Sequence, residues 1–419
     1  MTQEITRGIK QSVLDALQHS RIVYIQGARQ VGKSTLVKQL ARELDAEYIS
    51  LDSKQSLKLA QEDPRSFLEQ GGEGLLIIDE VQLAPELWLE MKLKVDEDNR
   101  PGQFLLTGST YTLTSSKTPD SLAGRIVHFR LDPFSESELH DNRTKLSSIL
   151  QGIESFRKAI KGYKSKLTKT QYLELATRGG YPEVVFSTKQ KESQAFLVNY
   201  VQSLLSKDQE SFASYKPKNQ LVKALRIFAQ NTGHEFLKTE FGRKMNLSNH
   251  TVAEYLEVFE NLFLVTLLDA WSGNNLKRIV NKPKLVFNDS GLAASITKYN
   301  IEKYELQLDG NYSGQLFESF AINEILRQLH MLSEPFILPY HYRDTTKREI
   351  DLIIEDQAGK LFCFEFKLNS TAYGAHKTLQ WFKEKNEDRF ELGIVFFTGN
   401  EAQLVSSNIW LVPLSFLWD

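Results

Sequence analysis

Gly27-Ala28-Arg29-Gln30-Val31-Gly32-Lys33-Ser34-Thr35 is the stretch on which the fold turns. Its spacing is G-x-x-x-x-G-K-[ST], that of a phosphate-cradling loop. Before it runs Arg21-Ile22-Val23-Tyr24-Ile25, apolar and β-branched, which reads as a buried parallel strand. After it, Leu36, Val37, Leu40 and Leu44 recur at helical spacing over 34–45. Glycines at such a strand-to-helix turn free the backbone to aim successive N–H groups at a β-phosphate, at the positive end of the helix. All nine residues form the expected nucleotide-binding set. Lys33 is expected to reach the β- and γ-phosphates, and the Ser34 hydroxyl to ligate Mg²⁺.

Outward from this loop, Gly74-Leu75-Leu76-Ile77-Ile78-Asp79-Glu80 is a short apolar run that ends in two carboxylates. A buried parallel strand delivers such groups at its C-terminal end, where α/β sheets bind ligands. Asp79 is expected to hold Mg²⁺ through its waters, and Glu80 to orient and activate the attacking water. Asp alone would suit a switch or a kinase; the adjacent Glu favours ATP hydrolysis. A further strand over 103–109 ends in small polar residues, of which Thr107 or Ser109 can place a hydroxyl between water and γ-phosphate, or simply cap the strand. Arg125 precedes a strand over 126–131. It is either an arginine finger for a neighbouring subunit, which would require a homo-oligomer, or a surface or ion-paired side chain. Helices are expected over 6–19, 52–69 and 83–97, and another strand over 47–51.

The chain has 419 residues, too many for one ordinary core. Its 41% apolar and 25% charged content suits a water-soluble globular protein, and a formal charge of -2 excludes a global polycation. One cysteine, Cys363, excludes an intrachain disulfide and suits a reducing compartment. The first twenty residues carry no apolar signal core, and no run of about 18 apolar residues marks a membrane span. Cytoplasmic location and no membrane partner are the expectations.

The segments GARQVGKST, LLIIDEVQ, LLTGST, SLAGR and GGYPEVV together resemble a large bacterial and archaeal family of AAA+-type ATPases that carry a C-terminal domain of unknown function. The resemblance implies an α/β P-loop NTPase core with a parallel sheet and a small helical lid, here Gln171 to Lys207 around Gly179-Gly180-Tyr181-Pro182. Four segments are expected: the ATPase core at 1–139, a basic insertion and lid at 140–210, a winged helix-turn-helix at 211–292, and a small α/β nuclease-like domain at 293–419.

The insertion departs from the family pattern. Arg143, Lys145, Arg157, Lys158, Lys161, Lys164, Lys166 and Lys169 face only Asp141 and Glu154, as a phosphate contact or as a solvated face. The winged-helix reading rests on helices over 221–232, 238–245 and 249–261, a strand over 263–271 and a return strand over 284–287. Ser248 is the expected N-cap of the third helix. That helix carries Glu254, Glu257 and Glu260, poor chemistry against DNA, leaving Asn249, His250 and Thr251. Lys277, Arg278, Lys282 and Lys284 of the wing, with Lys216, Lys218, Lys223 and Arg226, are the better DNA candidates.

In the last segment a helix over 314–329 contains Glu318. Glu349-Ile350-Asp351-Leu352 and Leu361-Phe362-Cys363-Phe364-Glu365-Phe366-Lys367 read as strands. Alternation puts Glu365 and Lys367 on one face, and a neighbouring hairpin strand can bring Asp351 beside Glu365. Two converging carboxylates make a hard-oxygen site suited to Mg²⁺ or Mn²⁺. The set resembles the PD-(D/E)xK nuclease fold. That resemblance makes Asp351, Glu365 and Glu318 metal ligands and Lys367 the group positioning water, with Gln380 a weaker addition. Two functions follow: an ATP-hydrolysing, DNA-associated protein with a metal-dependent nuclease tail, or an ATP-driven switch or adaptor that binds DNA or protein without cutting. A small-molecule kinase is disfavoured by Glu80 and by the appended segments.

Overall fold

In the computed structural model the described residues are 5–419, without 110–121, 123, 142–143, 188, 208–217, 275–277, 279–280, 300, 303–309, 333–336 and 373. Arg143, Lys216 and Lys277 therefore lie outside the described residues. Two compact units emerge: one from the described residues of 1–134, 261–263 and 330–333, the other from those of 135–260, 264–329 and 334–419.

The first unit is built on five strands: β1 (Ile22–Gln26), β2 (Glu47–Ser50), β3 (Leu76–Asp79), β4 (Phe104–Gly108) and β5 (Ile126–Arg130). They pair in the order β2-β3-β4-β1-β5, all parallel. β1, β3 and β4 are wholly buried, which is why they read as continuous apolar runs rather than alternating ones. Their apolar side chains pack with Trp88, Met91 and Val95 of helix Leu87–Glu97, Trp88 lying edge-on to Tyr24 at 5.6 Å.

Prolines divide two expected helices. The segment 52–69 forms Lys54–Glu62 and Pro64–Glu69, because Pro64 cannot continue a hydrogen-bonded helix and instead starts a new one. The Asp63 side chain caps the second from Ser66 N–H. Likewise 83–97 begins as a 3₁₀ turn, Val81–Leu83, and becomes α-helix only at Leu87, beyond Pro85.

In the second unit, helices Lys218–Gln230, Lys238–Met245 and Asn249–Asn261 precede an antiparallel pair, β6 (Val265–Leu268) and β7 (Lys284–Phe287). Phe228 meets Phe241 at 4.8 Å and Phe259 at 5.1 Å, so aromatic rings hold the three helices together. Ser248 accepts the Thr251 N–H at the third helix's start, as a cap should. The strand expected over 263–271 is only four residues long.

Helix Gly310–Leu332 leads into a six-stranded sheet: β8 (Leu338–Arg343), β9 (Glu349–Glu355), β10 (Leu361–Lys367), β11 (Phe390–Phe397), β12 (Gln403–Ser406) and β13 (Ile409–Pro413). The order is β12-β13-β11-β10-β9-β8, with β8, β9 and β10 antiparallel neighbours and β10, β11 and β13 parallel. Helix Lys377–Lys385 lies in the connection that makes β10 and β11 parallel. The basic insertion is a packing arm for this sheet. Phe156 meets Trp410 and Phe416 edge-on at 5.6 and 5.8 Å, Ser165 N–H donates to Asn400 O, and Lys164 pairs with Glu401 at 2.6 Å.

Candidate functional site

Parallel pairing gathers the strand ends of the first unit at one edge. Gln26, the last residue of β1, is level with Gly108 of β4 and Arg130 of β5. The phosphate loop therefore leaves β1 beside the ends of its neighbours. Gly27 is required by close approach: a Cβ there would lie 2.1 Å from Leu131 O. Gly32 has φ +100, a conformation costly for any residue with a Cβ. Lys33 and Ser34 then open helix Lys33–Leu44.

Lys33 is buried, and its ammonium donates to Gly27 O at 2.9 Å and Ala28 O at 2.8 Å. Burial pulls its pKa down to about 8, against the opposing charges of Glu80 and Asp79. β4 lies between β1 and β3, so its end separates the loop from the carboxylates. Thr107 Oγ donates to Asp79 and accepts the Glu80 N–H at 3.0 Å. Tyr48 OH donates to the other Asp79 oxygen at 2.9 Å, and burial together with that carboxylate pushes the phenol pKa up. Ser109 Oγ donates to Glu80 Oε2 at 2.8 Å, and the Gln82 amide donates to the same oxygen and to Ser109 Oγ at 3.0 Å. Glu80 itself has φ +61, a strained setting for a non-glycine residue of a kind that concentrates at functional sites. The structure thus brings Lys33, Asp79, Glu80, Thr107 and Ser109 to one edge. The backbone cradle, cation, hydroxyl and neutral-donor-held carboxylates fit a Mg²⁺-triphosphate.

Arg125 stands elsewhere. β5 starts level with the start of β1, so Arg125 is at the edge opposite the loop. Its guanidinium is paired with Asp96, Nη2 to Oδ2 at 3.1 Å, the ion-paired alternative raised by the sequence. Two contributors went unread in the sequence. Gln82 lay inside a quoted motif but carried no assigned role. Arg7, buried, donates to Val31 O and Asp132 O at 2.6 Å each and lies 4.4 Å over the Phe134 ring, pinning the phosphate loop from outside it. Only the tertiary contact reveals Arg7; nothing in the local sequence marks it.

Within the second unit, Glu318, Asp351, Glu365 and Lys367 line a cleft of about 510 Å³ with Arg343 and Lys347 on its walls. Asp351 Oδ2 accepts the Phe366 N–H at 2.9 Å, and Lys367 Nζ donates to Glu365 Oε2 at 2.7 Å. Gln380 is exposed and does not line the cleft. The sequence reading missed the cation at the centre. Lys284, assigned to a DNA-facing wing, is wholly buried with its Nζ at 2.7 Å from Glu318, 2.9 Å from Glu349 and 3.3 Å from Asp351. Burial opposes its charge, but the three carboxylates hold its pKa well above the lysine value. Burial and the Asp351 charge push Glu318 and Glu365 up. Burial would also raise Asp351, yet Lys284 and Lys367 outweigh it and hold that group down.

β7 pairs only with β6, yet all four of its residues are buried, so its first side chain is covered rather than presented to solvent. Arg278 is also withdrawn, bound to Glu355 at 2.8 Å and 4.8 Å over the Tyr340 ring. As arranged, the acidic cluster does not fit a divalent ion. Its carboxylates are turned onto ammonium groups, and among the described residues no group of three or more His, Cys, Asp or Glu is disposed to hold one.

Comparison with known proteins decides the first unit. Residues 19–140 match the family model described as an AAA domain. This part of the chain is an AAA-type P-loop ATPase domain. Beyond the AAA domain, residues 169–303 and 313–417 match two models described only as domains of unknown function. An uncharacterized protein of Mycobacterium tuberculosis is 26% identical over 358 residues, covering 85% of this chain and 72% of its own length. An uncharacterized protein of Haemophilus influenzae is 25% identical over 73% of this chain and 74% of its own. Among solved structures, a Walker-type ATPase of Pyrococcus abyssi covers 71% of this chain and 99% of its own at 14% identity, with a TM-score of 0.42. AMPPCP-bound DnaA from Aquifex aeolicus covers 60% and 86% at 13% identity, with a TM-score of 0.29. Among the described residues, no helix is long and apolar enough to cross a membrane.

Proposed function

We propose that the protein is an ATP-hydrolysing switch in which Glu80 activates the attacking water and the C-terminal half binds a partner without cutting it. The observation that carries the first part is the Asp79–Glu80–Thr107–Ser109 network at the edge reached by the phosphate loop. Lys33 would leave the carbonyls of Gly27 and Ala28 for the β- and γ-phosphates as backbone N–H groups of 27–35 take the phosphate oxygens. Ser34 and Asp79 would hold Mg²⁺, which supplies charge neutralisation at the phosphates. Glu80, kept in place by Ser109 and Gln82, would draw a proton from the water, with Thr107 fixing its backbone. Wild-type turnover by Glu80→Gln would remove this assignment.

For the second half, helix, three antiparallel strands, helix and parallel strand, bearing Asp351 and Glu365-x-Lys367, support a PD-(D/E)xK-like scaffold. Binding without cleavage is favoured by Lys284 within its carboxylates. The cationic walls formed by Arg343, Lys347 and Arg348 support a polyanion such as DNA as the bound partner. Plasmid and linear DNA incubated with Mg²⁺ or Mn²⁺, with and without ATP, should stay intact while ATP is turned over. Cuts that disappear in both Asp351→Ala and Lys367→Ala would establish the nuclease reading instead.

A further inference from the structure

We infer that Lys284 is the resident cation of the C-terminal acidic cluster and that it excludes a divalent metal from the same carboxylates. An ammonium has three N–H donors and no acceptor. Here the three acceptors come from three places: Glu318 on helix Gly310–Leu332, and Glu349 and Asp351 on alternate positions of β9. The ammonium donates to Glu318 and Asp351 and forms an ion pair with Glu349, so its charge is met on three sides.

The strand that carries the lysine is held in place. The Lys284 backbone is level with Leu268 in the β6–β7 pair and bridges Glu235. The residues before it are fixed as well: Pro283 O accepts the Phe236 N–H at 2.7 Å, and Lys282 O contacts the His341 ring nitrogen at 2.9 Å. The side chain is thus delivered by a strand clamped on both flanks.

Distances make lysine and metal alternatives. The ammonium holds its oxygens at 2.7 to 3.3 Å. Mg²⁺ would draw oxygens in to about 2.0–2.1 Å and Ca²⁺ to about 2.3–2.6 Å. An ion between Asp351 and Glu318 would occupy the place of Nζ and face its charge at contact range. The other flank is also committed, since Lys367 takes Glu365 Oε2, leaving Glu365 Oε1 as a buried oxygen without a partner. That oxygen alone offers a hard cation a single protein ligand, whereas the lysine-held oxygens are already taken. Removing the Lys284 charge leaves three carboxylates crowded together, a setting that a divalent cation relieves. The inference concerns occupancy of the cluster and stands whether or not the C-terminal half meets DNA.

The test is Mn²⁺ titration of the nucleotide-free full chain, with free Mn²⁺ read by electron paramagnetic resonance. Lys284→Gln should gain one site at least about tenfold tighter than any in the wild type, and Lys284→Gln/Asp351→Asn should lose it. No gain in a folded Lys284→Gln overturns the inference. Wild type and Asp351→Asn form the second comparison, which decides the matter should Lys284→Gln not fold. Equal Mn²⁺ binding by the two supports exclusion, whereas a wild-type site that Asp351→Asn removes overturns it.

Discussion

Two places in this molecule bring carboxylates and a lysine together, and they treat the lysine in opposite ways. At the phosphate loop, Lys33 rests on backbone carbonyls, while the Asp79 and Glu80 carboxylates accept from the hydroxyls of Tyr48, Thr107 and Ser109 and from the Gln82 amide. Neutral donors fix those carboxylates without cancelling their charge, so they stay available to Mg²⁺ and to water. In the C-terminal cluster, Lys284 and Lys367 point straight at the carboxylates and cancel it. The lesson is that residue types do not define a metal or catalytic site; what already sits on the carboxylate oxygens does.

Substitutions should separate the two sites. The largest effect is expected from Lys33→Ala, which should abolish measurable ATP binding in calorimetry; retained affinity would equate the two lysines. Next, Glu80→Gln should bind ATP normally yet lose about 10²–10⁴-fold in turnover. Asp351→Asn, by contrast, should leave turnover unchanged. Arg7→Ala should lower stability by about 1.5–3 kcal/mol, the range for hydrogen bonds to a charged group, and weaken ATP binding because Val31 O is released. Denaturant unfolding and ATP titration would check both.

The pH dependence follows from Lys33. In the empty loop its proton leaves near pH 8, whereas bound phosphates favour the charged form. ATP affinity should therefore hold below pH 8 and fall above it, by up to about tenfold per unit. Stability of the empty protein has the other sign. The cost of burying the charged lysine is present below about pH 8 and fades as pH rises towards 10.5. Arg125→Ala should do least, leaving turnover per subunit flat with protein concentration. A loss of turnover, together with a rate that rises with concentration in the wild type, would restore the finger in trans.

Read locally, the chain already disclosed its first sheet. β1, β3 and β4 are wholly buried, so each is a run of apolar residues, with the glycine loop after β1, the acidic pair at the end of β3 and small polar residues at the end of β4. Such signals lie within ten residues of one another and need no partner to be recognised. The alternation that set Glu365 and Lys367 on one face was equally local, and the hairpin neighbour did bring Asp351 beside them. What the sequence could not decide was the company each side chain keeps over long separations. Arg7 reaches Asp132, the insertion's Phe156 finds Trp410, and Lys284 meets Glu318 and Asp351. A lysine looks the same in sequence whether it faces water or three carboxylates. Burial settles which, because an ammonium taken from water must find its charge partners inside, and only the packing of β7 against helix Gly310–Leu332 and β9 supplies them.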